Sequence, residues 1–327
     1  MTLITTTLKN HIDFSIARLK ELEDKVKGIK PLEEIGDLCI YVTGSFGRFE
    51  ATHYSDLDLF FISSSEQKPV SRLTKTLIDA ELISIAEKMK FPPFSNDGQF
   101  LEIHYLDSVK EHLGSPNDDF SNFFTARLLL LLESYPVVNS KYYDSVIKEI
   151  IQTYYRDFHD HREFKPTFLV NDIIRYWKTL CLNYEHRRNR PVEDETKKLK
   201  THVKNLKLVF SRKLTCFSLI LSIVSKYNNL SEDALLEYVK LTPVERLDRI
   251  AKENPSTVQL VKEIFELYSY FIELNNQTEK DLLEWMKSED NKKEAFEKGR
   301  KEFGTKLFQL LIMLVGTKDE ILKFLVI

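Results

Sequence analysis

The chain has 327 residues, 43% of them hydrophobic and 30% charged, with a formal net charge of −3. That length suits two domains with real cores, and so small a net charge says nothing strong about nucleic acid by itself. Cys39, Cys181 and Cys216 form no Cys-x-x-Cys pair, which points away from a zinc site or disulfide framework and toward a reducing cytoplasm. Met1 to Asn10 has no signal-peptide core, and no uninterrupted apolar run reaches the roughly 20 residues needed to span a bilayer. Only nine glycines in a Lys-, Glu- and Leu-rich chain favour helix.

Along the chain, Leu8, Ile12, Ile16, Leu19 and Leu22 recur at steps of three and four. They predict a helix over Thr6 to Lys27 that packs on a sheet. Leu38 to Val42 is a short β-forming run, a buried strand. Thr43-Gly44-Ser45 breaks it, and Gly44 permits backbone angles and a close approach that a Cβ would forbid. A helix over Phe46 to Thr52 would aim free amides at a phosphate. The Ser45 hydroxyl could donate to that phosphate, and Arg48 adds charge one turn on. Ser55 returns the chain to a second strand, Leu57 to Ile62. On it Asp56 and Asp58 share one side while Leu57 and Leu59 take the other. Two neighbouring acids repel each other and resist desolvation. A divalent cation removes that cost, and Mg²⁺ favours carboxylate and phosphate oxygens.

Gly44-Ser45-Phe46-Gly47-Arg48-Phe49-Glu50, followed by Ser55-Asp56-Leu57-Asp58-Leu59, resembles the signature of the DNA polymerase β-type nucleotidyltransferase superfamily. The Gly-Arg-x-Glu step is similar to the branch that holds the PII-protein uridylyltransferases and related bacterial two-domain nucleotidyltransferases. The clear likeness covers Leu38 to Ile62 and weakens toward Asn139. It implies an α+β fold, a mixed-sheet nucleotidyltransferase domain followed by an all-helical domain. It also implies two Mg²⁺ ions, replaceable by Mn²⁺, on Asp56 and Asp58, and β- and γ-phosphates of an NTP such as ATP, or of a dNTP, on Gly44 and Ser45. The superfamily adds a third carboxylate on a later strand. Here Gln99 to Tyr105 is the candidate strand, and Glu102 the preferred third metal ligand and catalytic acid, with Asp97 and Asp107 as competitors. His104 shares its face with Glu102 and reads as structural, solvated or in contact with substrate. Glu50 is either a salt-bridge partner of Arg48 or of a nearby lysine, or part of the site.

Ser71 to Lys88 predicts the helix between the second and third strands, ended by Phe91-Pro92-Pro93-Phe94. From Phe120 the pattern is almost wholly helical. Helices are expected over Phe123 to Ser134, along Tyr143, Ile147, Ile150, Ile151, Tyr154 and Phe158, and along Leu169, Ile173, Trp177, Leu180 and Tyr184. Later ones run over Val258 to Leu274 and Lys280 to Phe324, the last interrupted near Gly304 or Gly316. The domains divide as 1–139, catalytic, and 140–327, a helical bundle expected to close the nucleotide cleft.

Between Arg187 and Lys213 stand ten Lys/Arg and three Asp/Glu. Leu199, Val203, Leu206, Phe210, Leu214 and Phe217 fall on one helical face, with Lys197, Lys200, Lys204 and Lys207 on another. The basic face reads either as a solvated surface or as a phosphate contact. Arg175, Lys178, Lys204 and Lys207 join Arg48 as candidate nucleotide-binding cations. His159-Asp160-His161 reads as a helix-end turn, not a phosphohydrolase pair. The acceptor stays open. It is an oligonucleotide or nucleotide, as in the Hailong-type antiphage defence enzymes that this chain resembles, or a protein or tRNA; alternatively the chain is an inactive nucleotide-binding regulatory module. No membrane partner is expected.

Overall fold

The computed structural model describes residues 3–94, 98, 101–156, 165–189, 194–316 and 319–326. The chain forms two compact units, Asn10–Asp160 and Met1–Lys9 with His161–Ile327. The first is α+β, with a four-stranded mixed sheet, and the second is helical among the described residues.

The sheet unit runs α1 (Thr6–Val26, from Asn10 onward), α2 (Lys30–Glu33), β1 (Leu38–Thr43), α3 (Gly44–Gly47) and β2 (Asp58–Ser63). It continues with α4 (Arg72–Lys88), β3 (Ile103–Tyr105), α5 (Leu106–Glu111), α6 (Pro116–Phe120), α7 (Phe123–Glu133), β4 (Tyr135–Val138) and α8 (Ser140–Tyr154). The strand order is β3-β2-β1-β4. β1 pairs antiparallel with β2 and β4, and β2 pairs parallel with β3. One face carries Ile40, Val42, Leu59 and Phe61 in a cluster with Ile78, Leu82 and Ile85 of α4 and Leu19, Leu22 and Val26 of α1. Each such buried aliphatic side chain contributes about 1.5–3 kcal/mol. On the opposite face an aromatic row crosses the strands, Tyr41 stacked at 5.8 Å from Phe60 and Phe60 at 6.4 Å from His104.

Several elements depart from the sequence reading. The buried face of α1 passes through Ser15, and Ile16 is 47% exposed. Ser15 is tolerated inside because its hydroxyl donates to the His11 carbonyl and accepts from Ala51 N–H. α3 is one turn long and does not reach Thr52, because Phe49 takes a left-handed φ of 57°. β4 was not anticipated. The third strand is only three residues long, and Glu102 stands one residue ahead of it. The sheet unit extends past residue 139, since α8 packs through Tyr143, 6.1 Å from Tyr41, and buries Val146, Ile147 and Ile150. Phe158, predicted on the same stripe, lies outside the described residues.

The helical unit comprises α9 (Thr167–Arg188), α10 (Glu195–Lys207), α11 (Lys213–Ser225), α12 (Glu232–Val239), α13 (Pro243–Glu253), α14 (Val258–Asn275), α15 (Glu279–Trp285), α16 (Glu289–Phe296), α17 (Gly304–Val315) and α18 (Asp319–Val326). Its core gathers Leu206, Phe210, Leu214, Phe265, Tyr268, Phe271 and Phe303, with Leu8 from the N-terminal segment. Leu3 N–H donates to Asp248 Oδ1 at 2.9 Å in the same unit. α10 and α11 are joined by a π-helical turn, Leu208–Arg212, and α16 and α17 by another, Glu297–Phe303. The expected break at Gly304 is therefore a change of helical pitch. The chain does break at Gly316, with φ 60°, and also before Ser288, whose hydroxyl caps α16. Glu195–Ser225 has the length and composition of a membrane span, yet 72% of its apolar window is buried within the protein, as in a core helix.

Candidate active site

The pairing of β1 with β2 sets Thr43 opposite Asp58. The next residue, Gly44, turns the chain with φ 66°. A Cβ on Gly44 would stand 2.8 Å from Asp58 Oδ2. Glycine is thus required twice, for a backbone that L-residues avoid and for the carboxylate that leans against it. The turn closes when Arg48 N–H donates to the Gly44 carbonyl at 3.1 Å and Glu50 N–H to the Ser45 carbonyl at 2.8 Å.

From Phe49 the chain is held by α1. His11 Nδ1 lies 2.9 Å from the Ala51 carbonyl, and Ser15 receives the Ala51 N–H at 3.0 Å. Thr52 N–H donates to Ser55 Oγ at 3.0 Å, and Tyr54 N–H to Thr52 Oγ1 at 3.1 Å. These bonds deliver Asp56 to the start of β2. Exposure then alternates: Asp56 is exposed, Leu57 buried, Asp58 half-buried and Leu59 buried. That alternation is the one expected of two acids on one side and a core on the other. Asp56 itself precedes the regular strand, which begins at Asp58.

Arg48, expected beside a phosphate, is turned into the protein. It is only 7% exposed, and its Nε donates to Glu50 Oε2 at 2.8 Å and its guanidinium to Glu133 Oε2 at 2.5 Å. Beside it, a Cβ on Gly47 would fall 2.1 Å from the Glu133 carbonyl oxygen. The Gly-Arg-x-Glu step is a buried clamp that seats the turn on the end of α7. Glu50 belongs to this clamp. Glu133 lies 85 residues from Arg48, inside an apolar run, and no local signal marks it.

The sheet also ranks the candidates for a third acid. β2 and β3 are parallel, with Phe61 opposite Ile103 and Ser63 opposite Tyr105. Asp107 follows the end of β3 in the first turn of α5, its N–H donating to the Ser64 carbonyl. It therefore sits at the far end of the sheet from Asp58. Glu102 is exposed at the near end, and one more step of the same register would set it beside Phe60, about 8 Å from Asp58 between Cα atoms. Asp97 lies outside the described residues, as does His159-Asp160-His161. His104 follows Glu102 by two residues. Burial holds its imidazole below the ordinary value, and the Glu102 charge works in the opposite direction.

No three His, Cys, Asp or Glu side chains among the described residues converge closely enough for a complete metal cage. Mg²⁺ needs no such cage, because it takes one or two carboxylates and fills its octahedron with substrate phosphate and water. Asp56 and Asp58 fit that donor set, with Asp58 placed against the bend that carries Ser45.

The remaining predicted cations belong to the helical unit. Arg175 and Lys178 are on α9, where Arg175 lies 3.8 Å from Asp172, and Lys204 and Lys207 are exposed on α10. Burial lowers the pKa of Lys204, helped by Arg187 and Lys200. Lys200 pairs with Glu279 at 3.0 Å. No protein-family model matches this chain, and no curated protein matches it either.

Proposed function

We propose that this chain is a metal-dependent nucleotidyltransferase of the DNA polymerase β-type superfamily, moving a nucleoside monophosphate from an NTP or dNTP to a hydroxyl acceptor and releasing pyrophosphate. The reading rests on one observation above all: the Asp58 carboxylate packs against the backbone of Gly44 at the strand-to-turn bend. In this reading the Ser45 hydroxyl donates to a phosphate oxygen, and Asp56 and Asp58 hold Mg²⁺. Bound Mg²⁺ would neutralise triphosphate charge and favour ionisation of the acceptor hydroxyl. Glu102 accepts or directs the acceptor proton from the neighbouring strand end. Gly44 leaves the space for a close phosphate, and the clamp of Arg48, Glu50 and Glu133 keeps the bend from collapsing. The gain in rate comes from positioning and from charge placed ahead of reaction.

Incubation with each labelled NTP and dNTP plus Mg²⁺ or Mn²⁺, resolved on a denaturing gel with mass analysis, tests this and names the acceptor class. A ladder means an oligonucleotide product, of the kind a defence signal would be. A labelled protein or tRNA band means modification. Nucleotide bound but never transferred means a regulatory module.

A further inference from the structure

In the sheet unit, α4 and the chain beyond it frame an open pocket of about 530 Å³, a size within the roughly 300–1,000 Å³ of small-molecule sites. Its apolar lining is Ile83 on α4, 42% exposed, with Phe91, Phe94 and Leu101 beyond the helix. Phe91 is fixed in place. Lys90 before it takes a left-handed φ of 58°, the Arg18 guanidinium lies 4.7 Å from its ring centroid, and Phe46 meets it edge-on at 5.4 Å. Pro92 and Pro93 stiffen the chain that follows. This aromatic wall is formed before any ligand arrives, so little ordering entropy is lost on binding.

The charged lining residues are Lys75, Asp79, Glu87 and Glu102. Lys75 is already engaged. Its ammonium donates to both Asp79 oxygens, at 2.5 and 2.6 Å, and lies 4.7 Å from the centroid of the Phe61 ring. Glu87 and Glu102 are exposed, and among the described residues neither carboxylate makes a hydrogen bond or ion pair. The pocket therefore sets two uncompensated negative charges beside aromatic rings. An anion would be repelled by them. A neutral apolar molecule would cover the rings but strip water from the carboxylates without replacing it. A cation that carries an apolar ring satisfies both parts of the lining. Its ring leaves water against the wall, and its N–H groups make charge-assisted hydrogen bonds to carboxylate.

We infer that this pocket binds a ring-bearing amine, the ring against Phe91, Phe94 and Leu101 and the ammonium met by Glu87 and Glu102. The inference concerns binding alone and stands whether or not the chain transfers nucleotides. The test is calorimetric titration of the full chain with tryptamine, and with indole-3-acetate as the same ring system bearing the opposite charge. Neither titration needs metal or nucleotide, so its failure leaves the role of Asp56 and Asp58 untouched. Tryptamine should bind at a single site, at least about tenfold more tightly than indole-3-acetate. Glu87→Gln, at an exposed helical position, and Phe94→Ala should each weaken tryptamine binding at least about fivefold. Glu266→Gln, which removes an exposed carboxylate of the helical unit, should leave it unchanged. Should Phe94→Ala fail to fold, Glu87→Gln carries the test alone. No saturable binding of tryptamine by the wild type, equal binding of indole-3-acetate, or full affinity in Glu87→Gln would overturn the inference.

Discussion

Replacing Arg48 by Met separates the clamp from a nucleotide contact. Arg48, Glu50 and Glu133 are 7%, 4% and 2% exposed, so water screens little of their interaction. Methionine fills much of the same volume but leaves two carboxylates buried without their shared cation. Breaking a buried pair in this way costs about 3–5 kcal/mol. In a unit of this size each kcal/mol lowers Tm by about 2–4 °C, so the drop should be about 6–20 °C. Differential scanning calorimetry reads it directly. Adding Glu50→Leu and Glu133→Leu should recover much of the loss, because an apolar cluster of similar volume has no stranded charge. A fall of less than 3 °C, together with loss of nucleotide affinity, would refute the clamp and return Arg48 to the ligand.

Three further outcomes are expected. Gly44→Ala strains a left-handed residue by about 1–2 kcal/mol and pushes the Asp58 carboxylate away, so turnover should fall at least tenfold more than stability explains; urea denaturation beside initial rates checks this. Glu102→Gln should lower turnover at least about a hundredfold while Asp107→Asn stays within about threefold, and the reverse ranking would mean that the β3 register misassigns the third acid. His104, held below its ordinary value of 6.5, stays neutral in the folded state where the unfolded chain takes up a proton. Stability should therefore be full above pH 6.5 and decline as pH falls below it, and His104→Gln should flatten that decline in urea midpoints measured between pH 5 and 7.

What could be read from the sequence was local. β1, the bend at Gly44, the alternation from Asp56 to Leu59 and α4 each declare themselves within a few residues. Ser71 even announces its own helix cap, accepting from Thr74 N–H. What was missed depends on partners far along the chain. β4 is four residues with Pro136 among them, and only its pairing with β1 makes it a strand. Arg48 looks like a phosphate ligand until Glu133 arrives from α7. Ser15 displaces Ile16 from the buried face because Ala51 needs an acceptor. The bend after Phe46 is shorter than its composition allows because Phe49 leaves the helical region. The pitch changes at Leu208–Arg212 and Glu297–Phe303 have no pattern in composition, and they lie where a Cβ on Gly299 would stand 2.6 Å from Val209 and 2.7 Å from the Phe210 ring, a contact between residues about ninety positions apart.

The most direct measurement is pyrophosphate release by purified Asp58→Asn beside wild type, with every NTP and dNTP in Mg²⁺ and in Mn²⁺. With the carboxylate beside Gly44 made neutral, release should fall by at least about a hundredfold, while Tm stays within a few degrees or rises as repulsion from Asp56 is relieved. Release at the wild-type rate would contradict the assignment of this bend as the catalytic centre.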